Sequence, residues 1–288
     1  MSKNGLPRKP LTKRRLKNLI LNVLKNPFNM VVLVSLIILF CLIIIPLLTM
    51  ISSTFTLAQG ELRRVQGHVG DFTLYYWKYI LTGKLAGAVL WGPLKNSFIC
   101  GFFTVLVSVP LGSVLAWLMI RTDLPGKKIL GLLVTVPYMI PSWTKALAWL
   151  AMFRNSTSGA NGFLAGLGIP VPDWLAYGPI AIVLCMSMHY YAFSYIMVSG
   201  ALRSINSELE EMGEIQGASK AQILRHITLP LILPSVLSAT VMTISKSIGT
   251  YGVPANLGNR IGYYTLATKM RTFIDQGPQA VGYSMSIV

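Results

Sequence analysis

The chain has 288 residues, of which 53% are hydrophobic and only 12% charged. A soluble domain carries about a quarter charged residues, so this composition excludes an ordinary water-facing surface, and the apolar residues fall in long runs rather than short stripes. The formal net charge of +16 comes from basic flanks with no interleaved aromatic residues, which argues against a base-stacking nucleic-acid surface.

Residues 1–29 form a basic N-terminal segment in which Lys3, Arg8, Lys9, Lys13, Arg14, Arg15, Lys17 and Lys25 precede the first apolar run. Leu16, Leu19, Ile20, Val23 and Leu24 recur there at helical spacing, which predicts an amphipathic helix in the membrane interface; a frayed basic tail is the alternative. About 20 apolar residues cross a bilayer core. By that measure residues 30–51 form the first transmembrane helix, and further spans run over about 94–120, 129–153, 179–202 and 229–248. The first run is too long for the core of a cleaved signal peptide, and no small-residue cleavage site follows it. Residues 52–92 read as an external loop and 93–288 as the core of the protein. Residues 280–288 begin to look apolar again, as the start of a further span in a longer protein.

Lys and Arg collect on cytoplasmic flanks. The N-terminus is therefore expected inside, with residues 121–128 and 203–225 on the same side and 52–90, 154–178 and 251–279 outside. The expected class is an all-α, polytopic membrane protein of the inner cell membrane. Cys41, Cys100 and Cys185 lie inside apolar runs, and His68, His189 and His226 are scattered, so no metal-ligand spacing emerges.

The acids are more telling. All nine, Glu61, Asp71, Asp123, Asp173, Glu208, Glu210, Glu211, Glu214 and Asp275, fall outside the spans. A proton-coupled carrier needs intramembrane carboxylates, so the rival reading, an ion-coupled secondary transporter, lacks its main parts. Sodium coupling through the carbonyls of broken helices stays open. No G-x-x-x-x-G-K-[ST] loop is present for ATP, so an energy source would have to come from a partner. Two cations interrupt the spans instead: Lys145, after Pro137 and Pro141, and Lys246, between Ser245 and Ser247. Each either faces a cavity or snorkels to the interface.

The longest loop on the basic side, 204–230, is patterned as a helical pair. Ser207 is placed to cap a first helix with Glu210 at the capping-box position; Gly217 marks a break; Ser219 is placed to cap a second helix ending in Arg225 and His226. Pro230 and Pro234 open the following span. Glu211, Gly217, Ala218, Ile227, Leu229 and Pro230 match, at the required spacings, the EAA loop of permease subunits of binding-protein-dependent ABC importers with the maltose-type (type I) fold. Met212 and Gly213 depart from the two alanines of that pattern, which would loosen the first helix.

Asn96-Ser97, Pro110-Leu111-Gly112, Ala116 and the run from Arg121 to Gly126 are also similar to the family's first core helix and inner turn. The run from Tyr251 to Gly258, followed by that from Gly262 to Thr268, resembles the ferric iron branch, with polyamine and phosphonate permeases nearby. Thr250 stands where that branch would place an acid. The resemblance implies a non-catalytic subunit with no cofactor of its own, ATP and magnesium being bound by a separate ABC ATPase dimer. It further implies an external solute-binding protein, a second permease half and a substrate path past Lys246, Thr250 and Tyr251. Glu211 would pair with the ATPase or hold the loop's helices, and Gly217 would let the backbone turn where a side chain would clash.

Overall fold

The structure, a computed structural model, describes residues 27–61, 65–159 and 161–288. The amphipathic helix expected around residues 16–24 lies outside the described residues. In chain order the helices are α1 (Pro27–Ser53), α2 (Tyr75–Leu81), α3 (Gly92–Arg121), α4 (Lys127–Met139), α5 (Ser142–Phe153), α6 (Phe163–Gly166), α7 (Asp173–Ala176) and α8 (Pro179–Ser204). They continue as α9 (Glu208–Ile215), α10 (Lys220–Ile223), α11 (Leu229–Gly249), α12 (Gly252–Leu257), α13 (Leu266–Gln276) and α14 (Gln279–Ile287). Among the described residues β structure is limited to one isolated bridge, Thr56 with Phe72.

Among the described residues, four helical stretches are long and apolar enough to cross a membrane: 27–53, 87–121, 173–204 and 220–249. α1 is apolar on every face and buries none of its residues, the pattern of a lipid-facing span. The single span expected over 129–153 is instead two helices, α4 and α5, broken at Ile140-Pro141. Pro141 disfavours a helical conformation at the residue before it, and Ile140 accordingly adopts φ −79°, ψ 130°. Pro141 then leads directly into α5, whose first residue is Ser142. α14 has nine residues, too few to cross a bilayer by itself.

The core is the packing of α3 on α8, the most extensive helix pair, with α11 laid across both. In lipid no hydrophobic drive brings apolar helices together, so close contact needs small residues at the crossing. Gly112 is the tightest point. A Cβ there would stand 2.7 Å from both Ser194 Cβ and the Tyr195 backbone nitrogen. Thr104, Ser108 and Ala116 on α3 and Ser194 and Val198 on α8 are buried around it.

The loops sort to two ends. At one end Tyr76, Ile80, Val89 and Leu90 share a cluster with Ala280, Val281 and Met285. Asn96 Nδ2 donates to the Tyr264 carbonyl at 2.9 Å, and Ser97 Oγ accepts from the Leu266 amide at 2.8 Å, tying the start of α3 to the segment before α13. Gly178 N donates to Leu257 O at 2.9 Å, bringing the 154–178 loop to the same end. At the opposite end the last residue of α3, Arg121, meets Glu210 of α9. α4 and α5 together carry the chain from that second end to the first, so the break leaves the alternation of sides unchanged.

Candidate coupling loop and translocation path

The loop after α8 folds as two short helices joined by a glycine turn. α9 ends in a paired hydrogen-bond closure: Ala218 N donates to Gly213 O at 3.0 Å and Gly217 N to Glu214 O at 2.9 Å. That closure requires a left-handed residue at the turn, and Gly217 has φ +82°. Around its missing Cβ there is nothing within 4 Å. Gly217 is therefore demanded by backbone conformation, and the expectation of a steric clash within this chain is corrected.

Crowding occurs instead at Gly213, where a Cβ would lie 3.2 Å from Ile223 Cγ1 and 3.2 Å from Ile227 Cδ1. What reads in the sequence as a departure from the two-alanine pattern is thus a point where the first loop helix packs against the side chains of Ile223 and Ile227. Ser219 caps α10 in a full capping box, its amide donating to Gln222 Oε1 at 2.7 Å. Ser207, by contrast, makes no side-chain cap. Asn206 Oδ1 accepts from the Glu208 amide at 3.2 Å instead.

Glu210 is released from the capping role because it has stronger partners elsewhere. Its carboxylate forms an ion pair with Arg121 Nε at 3.0 Å, with only 15% and 18% of the two side chains exposed. It also accepts from Thr228 Oγ1 at 2.7 Å. Thr228 is buried and closes a π turn, Leu224–Thr228, that leads without interruption into α11. Pro230 explains the turn. It has no N–H to donate, and its ring crowds the carbonyl four residues back, so the helix widens; Leu229 N reaches Leu224 O, five residues away. One carboxylate therefore joins the loop to the end of α3 and the start of α11.

Of the residues singled out by the motif, Gly217 and Ala218 form the turn, Ile227 packs on Gly213, and Leu229 and Pro230 shape the entry to α11. The Glu211 side chain is exposed and makes no hydrogen bond or ion pair among the described residues; its amide donates to Ser207 O at 3.0 Å. Glu210, Arg121, Thr228 and Gly213 were missed. The available signal was the pairing of a basic residue at the end of one span with an acid-rich loop on the same side.

In the bundle, Lys246 lies 17 residues into α11, about 26 Å along it at 1.5 Å per residue. Its ammonium donates to Tyr138 Oη at 3.0 Å and stands 4.5 Å from the centre of the Phe193 ring. Tyr138 stacks on His189 at 5.3 Å, and His189 Nδ1 contacts the ammonium of Lys145. Lys145 also donates to Ile140 O at 3.1 Å, and His189 hydrogen-bonds the Pro137 backbone, so this pair serves carbonyls freed by the helix break. The two lysines, separate in the sequence reading, thus belong to one chain of contacts. Thr250 ends α11, donating to Lys246 O at 2.8 Å and sharing a 2.7 Å hydrogen bond with Tyr190 Oη. Tyr251, exposed, precedes α12, which packs so closely on α5 that a Cβ at Gly252 would be 2.6 Å from Trp143 Cβ.

The chain is similar to the probable sulfate transport system permease protein cysT of Marchantia polymorpha, 27% identical over 180 residues, spanning 61% of this chain and 59% of that protein. It is similar to the molybdenum transport system permease protein ModB of Escherichia coli (strain K12), 27% identical over 166 residues, 56% of this chain and 69% of that one. A putative 2-aminoethylphosphonate transport system permease protein, PhnV of Salmonella typhimurium, is 27% identical over 217 residues, 75% of this chain and 74% of its own. The expected ferric iron branch finds no support in these relatives. Among solved structures, a bacterial ABC transporter involved in the import of the acidic polysaccharide alginate superposes with a TM-score of 0.67 at 18% identity, over 94% of this chain and 92% of that one, and shows the shared fold. The model of the family described as "Binding-protein-dependent transport system inner membrane component" matches residues 108–288, and the chain belongs to that family, the multi-pass permeases of ABC importers.

Proposed function

We propose that this chain forms the translocation path of an ATP-driven importer of a small oxyanion, coupled to its ATPase through the loop 204–230. The carrying observation is mechanical: Glu210 binds the loop at once to Arg121 at the end of α3 and to Thr228 at the start of α11. A push on the two loop helices is delivered to two spans together, as a change between inward and outward access requires. The basic N-terminal flank supports a cytoplasmic position for that loop. An ABC ATPase dimer binds ATP and magnesium there, a second permease half completes the path, and an external solute-binding protein delivers the substrate. Glu211, exposed on the loop, is the side chain offered to the ATPase. The relatives named for sulfate, molybdenum and 2-aminoethylphosphonate support an oxyanion rather than a metal or polyamine cation.

The test uses the whole transporter. Gly217→Val forces a branched side chain into a left-handed turn, at about 1–2 kcal/mol. Stimulated ATP hydrolysis and uptake are expected to collapse in this variant while the protein still inserts. Glu211→Ala removes a side chain with no hydrogen-bond or ion-pair partner among the described residues, so its loss of uptake reports on the ATPase contact. Normal uptake in both variants would overturn the assignment.

A further inference from the structure

Resting on the importer reading, we propose that Lys246 and Tyr138 form an anion station in the translocation path, held in place by the Lys145–His189 pair. The station selects a fully ionised tetrahedral oxyanion that carries no ammonium group of its own.

The argument is one of charge and of donors without acceptors. Lys246 lies within a membrane-crossing helix. Its neighbours are the Tyr138 hydroxyl and the faces of Phe193 and Tyr138, at 4.5 and 5.6 Å. Aromatic faces stabilise a cation but do not neutralise it. Of the nine acids only Asp173 touches a membrane-crossing stretch, at the first residue of 173–204, where it accepts from Asn155 and Thr157, and Lys246 makes no ion pair among the described residues. Its counter-ion must come from outside the chain.

Hydrogen bonding points the same way. The ammonium spends one hydrogen on Tyr138 Oη, which leaves two hydrogens of its own and the tyrosine's proton to offer. Tyr138 is oriented by its stack on His189, which is set by Lys145 and by the broken turn between α4 and α5. Lys145 adds a second positive charge behind the histidine. A ligand seated on Lys246 and Tyr138 must therefore be acceptor-rich and negative, as sulfate and molybdate are. A phosphonate bearing an ammonium would need a carboxylate or a free aromatic face, and Lys246 already occupies the faces of Tyr138 and Phe193.

Uptake of radiolabelled sulfate, molybdate and 2-aminoethylphosphonate is measured in cells carrying the complete transporter. The wild type should take up sulfate or molybdate in preference to the aminophosphonate. Lys246→Ala should lower that uptake about tenfold or more, Tyr138→Phe several-fold, and Lys246→Arg should recover part of the loss. Co-purification of each variant with the ATPase shows that it has folded and assembled. If the wild type moves an oxyanion, the importer reading stands whatever the variants do. Undiminished uptake in Lys246→Ala would then overturn the station alone. A wild type that moves only the aminophosphonate, or none of the three, overturns it as well.

Discussion

Replacing Glu210 with glutamine keeps the shape of the side chain, and an oxygen for Thr228, but removes the charge that faces Arg121. At 3.0 Å the pair is worth about 5 kcal/mol of attraction with an effective dielectric near 20. Desolvation of two groups this deeply placed offsets much of it, yet stripping one partner leaves Arg121 as an uncompensated cation. A net loss of about 2 kcal/mol for docking of the loop follows, or about thirtyfold more of the undocked form at 1.4 kcal/mol per factor of ten. Hydrogen exchange of the assembled transporter in a lipid disc reads this directly. Amides between about 210 and 224 should exchange some thirtyfold faster, while those of α3 and α8 keep their protection. Adding Arg121→Met should restore part of the protection, because the stranded charge is then gone. Unchanged exchange in Glu210→Gln, or a double variant whose cost is the sum of the two singles, would refute the strut.

Two further substitutions probe the scaffold. Gly112→Leu pushes a side chain into the Ser194 and Tyr195 backbone region, where a Cβ already meets atoms at 2.7 Å, and should destabilise the bundle by about 1–3 kcal/mol or more. Gly200→Ala, on an exposed face of α8 with nothing within 4 Å of its Cβ, should be neutral or slightly stabilising in a detergent melting assay. Ser219→Ala removes the α10 cap, about 1 kcal/mol, and should loosen the loop without lowering the melting temperature of the spans.

Much of the site was legible because its signals are local. Gly217 and Ala218 announce a helix stop, since a left-handed turn needs glycine. Ser219 with Gln222 announces a helix start, since both hydrogen bonds close within three residues. The same local logic failed at Ser207 and Glu210, where a capping box was expected. A carboxylate that can reach a half-buried arginine gains more there than from a neighbouring amide, and nothing within a few residues of Glu210 reveals that arginine. Gly213 is a similar case: its small size matters only once Ile223 and Ile227 stand opposite.

By itself, the sequence determined the membrane class, the four long crossings and the helix-turn-helix form of the loop, because hydropathy, proline and glycine act over a single turn or span. Tertiary structure alone decided that Glu210 braces Arg121. It alone brought Lys246 to Tyr138, a contact across 108 residues of chain. Such contacts depend on how helices cross, and helix crossing is set by small residues such as Gly112 meeting a partner helix that no local pattern identifies.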